Sequence, residues 1–302
     1  MRSKTQGNSI QSFDLVKGKR NNPYSILYVP RMFAQHPFPK SNLDKDSYWT
    51  VNGDKVLILV SGHDYSPKEK RTIPVGLPFG MIPRLLILMI TTRAVLTGKR
   101  EIKLSPNISQ FLKMIGYEVS GGEQGSLSQL YVQLKRLLNC RVSYQHYKDI
   151  DNPMQGQFKR DMGPIDEMEF WEATYDEESN RLKDIRIKLH EHFYREIMNH
   201  AFPVKQEDVN KLRPSTLALD LYLFLCHRVF NLKRDTYISW KDLNKQFGSN
   251  YANHLDFGSR ARKYLRKIKS EVYPQVNFAF EPGRLVLKKS PTPVKKLSTN
   301  SR

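Results

Sequence analysis

The sequence predicts a mainly α-helical α+β fold in which one order of elements, helix–strand–helix–helix–strand–strand, occurs twice. Three observations carry that prediction. Apolar residues recur at helical spacing in several segments, short β-rich runs lie between them, and Gly and Pro mark the junctions. The same order then returns about 130 residues further along the chain.

Residues 1–45 lack a clear period and read as a basic arm, ordered in part over Tyr24–Val29. Tyr48 to Val60 holds Asn52-Gly53 between two β-rich runs, the strongest short hairpin signal. Residues 61–82 read as loop. Pro83 fits the first turn of a helix reaching Leu96, which Gly98 ends. Arg100–Leu104 alternates as a strand. Ser105-Pro106 opens a second helix to Ile115, Gly121-Gly122 turns the chain, and a third helix runs from Ser126 to Asn139. Arg141–Tyr144 and Asp184–Leu189 read as the strands that follow, with an acidic insert at 150–182 between them. A helix from His192 closes the unit.

In the second copy, Ser215 caps an apolar helix over Leu217–Phe230. Thr236–Trp240 is a strand, Lys241–Phe247 a short helix ended by Gly248, and Phe257–Glu271 the third helix. Gln275–Phe280 and Arg284–Lys288 form a hairpin around Pro282-Gly283. This is the order of a winged helix-turn-helix, whose third helix enters the DNA major groove while the hairpin wing lies on the backbone. The expected organisation is therefore two tandem winged helix-turn-helix domains. The first covers 46–200, with the N-terminal hairpin and the acidic insert, and the second covers 201–290. The basic arm 1–45 precedes them, and a basic flexible tail, 291–302, follows.

Charge points to an anionic partner. The chain has 49 Lys and Arg against 30 Asp and Glu, a formal net charge of +19, and a pI near 9.8. The charge is clustered: residues 161–180 contain eight acids and no Lys or Arg, whereas 251–302 contain twelve Lys or Arg and three acids. The acidic stretch cannot lie against phosphate and is expected to face solvent or a protein. Cys140 and Cys226 both lie in apolar runs, too few for a zinc site or a disulfide framework, and read as reduced core residues of a cytosolic protein. The N-terminus is polar, without a signal peptide, and Leu85–Ile90 is too short an apolar run to span a bilayer, so no membrane role is expected.

The 257–271 helix carries the sharpest signal. On a helical wheel Phe257, Ala261, Tyr264, Leu265 and Ile268 share a sector of about 100°. Arg260, Arg262, Lys263, Arg266, Lys267 and Lys269 fill the opposite side. A solvated helix face normally mixes signs to gain i,i+4 pairs, so six like charges imply a phosphate partner. The 126–139 helix is weaker: Ser128, Gln129, Gln133, Lys135 and Arg136 lie opposite its leucines, residue types suited to base edges and phosphate. Lys288 and Lys289, at the end of the wing, complete the expected contacts with double-stranded DNA.

A set of collinear features resembles the plasmid-encoded RepA replication initiators. It runs through Gly76-Leu77-Pro78-Phe79-Gly80, Pro83-Arg84-Leu85-Leu86, Arg100-Glu101-Ile102, Gly121-Gly122 and Gln133-Leu134-Lys135-Arg136-Leu137. It continues through Ser215–Tyr222, Ile238-Ser239-Trp240, Gln246-Phe247-Gly248 and Tyr273-Pro274, spanning roughly residues 45–290. The resemblance implies a cytoplasmic bacterial protein that binds repeated sites (iterons) at a plasmid origin and recruits the host initiator and replicative helicase. It also implies a homodimer that represses its own promoter. The chain departs from the family at Gln129 and Tyr131, where arginines are usual, which leaves open whether the first unit reads bases or mainly dimerises.

Two alternatives share the scaffold or a motif. A winged-helix transcriptional regulator would bind DNA identically without supporting replication. A metal-dependent origin-nicking enzyme would use His190 and His192, which share a strand face, with Tyr194 as nucleophile. Glu191 sits where that motif needs a bulky apolar residue, and histidines at a strand end are more often structural. No phosphate-binding loop is present; Gly121–Gly125 reads as a turn. No catalytic residue, metal or cofactor is expected.

Overall fold

The computed structural model describes residues 24–103, 113, 118, 120, 125–147, 157–162, 164–170, 185–247 and 253–294. The expected helix from Ser105 to Ile115, the Gly121-Gly122 turn and the 291–302 tail lie wholly or largely outside them. The fold is mixed α+β, with several small sheets.

The supposed arm is built into the fold from its middle onward. Strand β1 (Ile26–Val29) pairs antiparallel with β11 (Phe202–Lys205), setting Leu27 opposite Val204. Helix α1 (Arg31–Gln35) follows and buries Met32, Phe33 and Ala34. The Asn52-Gly53 hairpin forms as expected, β2 (Ser47–Asn52) against β3 (Lys55–Val60), with Gly53 at φ +60°.

Residues 61–82 are more than loop. They contain a hairpin, β4 (His63–Ser66) with β5 (Arg71–Pro74), that forms a sheet of its own. Helix α2 (Met81–Thr97) is apolar nearly all round and buries twelve of its residues, which makes it the axis of the first half. Gly98, at φ +64°, ends it in the left-handed cap that favours glycine. Strand β6 (Glu101–Lys103) and helix α3 (Ser126–Asn139) occupy their expected places.

The strand expected after α3 has a different partner. β7 (Arg141–Tyr147) joins the N-terminal hairpin, in a sheet ordered β2-β3-β7-β8 with β8 at Gln157–Met162. The strand paired with β10 (Ile185–Leu189) is β9 (Ile165–Phe170), drawn from the acidic stretch. The register sets Glu167 opposite Lys188 and Glu169 opposite Arg186. The resulting sheet is ordered β6-β10-β9. Helix α4 (Glu191–His200) closes this half.

After β11 come α5 (Gln206–Leu212), α6 (Thr216–Arg228), β12 (Thr236–Ser239), α7 (Trp240–Gln246), α8 (His254–Glu271), β13 (Phe278–Glu281) and β14 (Arg284–Leu287). Ser215 accepts a hydrogen bond from Ala218 N–H and so caps α6 as its sequence position suggested. The sheet is ordered β12-β14-β13. Both three-stranded sheets place their third strand in the middle.

One continuous apolar cluster runs through both halves. At its centre the Arg84 guanidinium of α2 meets the Asp220 carboxylate of α6 in two parallel bonds of 2.7 and 2.8 Å. The remaining donors of Arg84 go to the carbonyls of Phe38, Pro39 and Gly80. Burial pushes the Asp220 pKa upward, and the guanidinium opposes that push. Tyr48 Oη donates to the Phe247 carbonyl and Gln246 Nε2 to the Gln35 carbonyl, adding further bonds across the same junction. Buried His36, whose Nδ1 lies 2.8 Å from Thr50 Oγ1, is held neutral with its pKa lowered to about 3 by burial and the nearby Lys55 charge. No helix among the described residues is long and apolar enough to cross a membrane.

Candidate nucleic-acid interface

Helix α8 begins three residues earlier than its apolar period indicated. The Asn253 side chain accepts from the N–H groups of Leu255 and Asp256, and Asp256 complements the positive helix start. Phe257, Ala261, Leu265 and Ile268 are fully buried, as their shared sector requires. Gly258 lies on the same face against α7. A Cβ there would come within 2.9 Å of Trp240 Cγ, so the helices approach closely only because position 258 has no side chain.

The six cations divide into two flanks. On the flank toward the wing, the Arg262 guanidinium lies 5.1 Å from the centroid of the Trp240 ring and Arg266 lies 5.3 Å from that of Phe280. Lys269 Nζ is 5.3 Å from the Phe278 ring. Each such contact is worth about 0.5–1 kcal/mol at an exposed site. Its larger effect is to hold a long side chain in place while its charge stays accessible. Arg260, Lys263 and Lys267 form the other flank and are exposed; Lys267 also reaches Glu271 one turn on, at 3.8 Å.

The β13–β14 hairpin repeats the pairing of cation and ring. Gly283 turns the β13–β14 hairpin at φ +73°. Arg284 pairs with Glu281 at 2.6 Å and lies 4.7 Å from the ring of Tyr237, which is exposed on β12. Lys288 sits 3.8 Å from Asp235, and Lys289 is exposed.

Helix α3 is arranged differently. Gln133, expected to reach DNA, is 2% exposed, and its Oε1 accepts the Phe79 N–H at 3.0 Å. Arg136 is half-buried; its Nη1 donates to the Leu77 carbonyl and Asn42 Oδ1, and its guanidinium lies 4.9 Å from the Phe79 ring. Gly76, at φ +88°, leaves the room that Arg136 occupies. These two residues therefore brace the Gly76–Gly80 turn and are not free to contact DNA. Lys135 Nζ lies 2.5 Å from Asp64 of β4, and that contact holds the Asp64 carboxyl below its usual pKa. Of the five residues named on this helix, Gln129 is exposed, Ser128 is half-buried, and Lys135 is partly exposed with its charge paired.

Three members of the histidine motif have side-chain partners within the fold. His190 Nδ1 accepts from His192 N–H as a helix cap, and Glu191 binds Arg100 and Arg195. Tyr194 Oη donates to the Gly98 carbonyl at 2.7 Å. Among the described residues, no group of three His, Cys, Asp or Glu is placed to hold a metal ion.

Sequence reasoning missed the aromatic seats Trp240, Phe278, Phe280 and Tyr237. The alternation of Phe278 and Phe280 on one strand face was the available signal.

A family model described as plasmid encoded RepA protein matches residues 77–242. No curated protein gives a significant match. Two solved structures match over most of the chain. Domains 2–3 of RctB match with a TM-score of 0.49 at 13% identity, over 85% of this chain and 94% of that one. A selenomethionine form of RctB domains 2 and 3 matches with a TM-score of 0.51 at 13% identity, over 86% and 98%. At that identity the likeness is one of fold.

Proposed function

The chain belongs to the plasmid-encoded RepA family, and from that premise we propose that it is a non-enzymatic replication initiator that binds repeated duplex sites at a plasmid origin. Its two halves act as tandem winged helices. Helix α8 enters a major groove, the β13–β14 wing lies on the adjoining backbone, and the first half covers a neighbouring groove about one helical turn away. The host initiator and replicative helicase are the partners this role requires.

The observation that carries the reading is the wing-side flank of α8. Arg262, Arg266 and Lys269 are seated on Trp240, Phe280 and Phe278, so three charges are held in line before any ligand arrives. Preorganised cations bind phosphate without first paying to order their side chains.

The test is a salt titration of duplex affinity with an Arg262→Ala/Arg266→Ala chain. The log–log slope is expected to flatten by about one per lost phosphate contact. An unchanged slope means that this flank does not touch phosphate. Footprinting on tandem repeats should protect two adjacent grooves; protection of one groove, or equal affinity for unrelated duplex, counts against an initiator.

A further inference from the structure

The first half poses a problem for this reading. Its third helix, α3, spends its own cations internally: Arg136 on Leu77 and Phe79, Lys135 on Asp64. A second DNA-binding unit without phosphate contacts would add little affinity, because counterion release supplies most of it.

The missing charge lies on the hairpin that the sequence reading treated as loop. We propose that the β4–β5 hairpin is the phosphate-contacting element of the first half, laying Lys68 and Lys70 on the duplex backbone beside α3. The inference rests on the initiator reading above and names a contact which that reading lacks.

Four observations support it. All residues from Pro67 to Thr72 are exposed, and the tip carries three cations against one acid, Glu69, which Arg71 binds at 2.6 Å. Among the described residues the hairpin joins no other sheet. It is nonetheless fastened beside the outer face of α3. Asp64 takes Lys135 of that helix, and Tyr65 and Ile73 of the hairpin line a cleft of about 330 Å³ together with Tyr131 and Val132 of α3; Ser61 Oγ accepts the Gly76 N–H and closes the hairpin's base. Finally, Lys70 adopts φ +51°, a left-handed conformation in which glycine would be more comfortable. A side chain is kept there at some conformational cost, and that side chain is a cation.

The roles of Asp64 and Lys135 then become clear. Their pair does not present charge to DNA; it sets the distance between the hairpin and the helix. A hairpin held beside a groove-facing helix is the geometry of a wing, here supplied from the N-terminal side of the unit rather than from β9–β10.

The experiment compares the full-length chain with Lys68→Ala/Lys70→Gly in the same salt titration and in hydroxyl-radical footprints on tandem repeats. Lys70→Gly relieves the left-handed backbone, so the variant is expected to melt no lower than the parent. The slope should fall by about two, with protection lost only at the edge of the groove assigned to the first half. A variant with the parental slope and footprint, while Arg262→Ala/Arg266→Ala still loses affinity, overturns this inference alone. A change confined to the oligomeric state overturns it too, and makes the hairpin a protein contact. Failure of the parent chain to bind duplex at all overturns the initiator reading as well.

Discussion

Helices α3 and α8 are expected from the sequence at the same place in a repeated order, yet their polar faces are arranged differently. Lys and Arg on α8 rest on rings supplied by α7 and the wing, which steady the side chains and leave their charge outward. On α3 the corresponding groups are consumed by carbonyls, a carboxylate and a ring within the same half. An aromatic face attracts a cation without neutralising it, whereas a carboxylate cancels it. Position in a motif therefore does not assign a role. The partner each cation finds at home decides whether it is available to a ligand.

The comparison can be broken at three levels. The largest effect is expected where the two halves are joined. Asp220→Ala strands the Arg84 guanidinium in the core and should cost about 3–5 kcal/mol in urea denaturation, lowering the stability of both halves together. If only one half loosens, as read by amide exchange, the shared core is not cooperative. Next in size is Arg136→Ala, which frees the Gly76–Gly80 turn. We expect a loss of about 1–2 kcal/mol in stability with the salt slope of DNA binding unchanged. A shallower slope would show that Arg136 leaves its internal partners to meet phosphate. The smallest effect sharpens the contrast directly. Lys263→Ala should reduce the salt slope by about one, and Lys135→Ala by much less, because Asp64 already balances its charge. Equal slopes for the two variants would erase the distinction between the helices.

Much of this was legible in the residues. The boundaries of α3 were read as they stand, and α8 differs only where Asn253 extends it by capping its start. The buried sector of α8 followed from period alone, since a helix must turn its apolar residues one way. The candidate contacts fared less evenly. All six cations of α8 lie on the side opposite its buried core, but Gln133 and Arg136 turned inward. A helical wheel shows which residues share a face, and it does not show that a neighbouring turn covers part of it. Pro67 and four-residue strands without apolar alternation hid the β4–β5 hairpin, which the Asp64–Lys135 ion pair ties to α3.

What the sequence determined by itself is local and periodic: most of the described helices, the Ser215 and Gly98 caps, the Asn52-Gly53 and Pro282-Gly283 turns, and the concentration of positive charge on α8. These follow from backbone preference and from burying apolar surface, both of which act over a few residues. The tertiary structure alone decided the pairings across distance. β1 found β11, β7 found β3 instead of β10, and the acidic stretch supplied β9 where the register opposes it to Arg186 and Lys188. Strand pairing is settled by whichever partner buries the common face and balances charge. That partner can stand anywhere along the chain, so local pattern cannot name it.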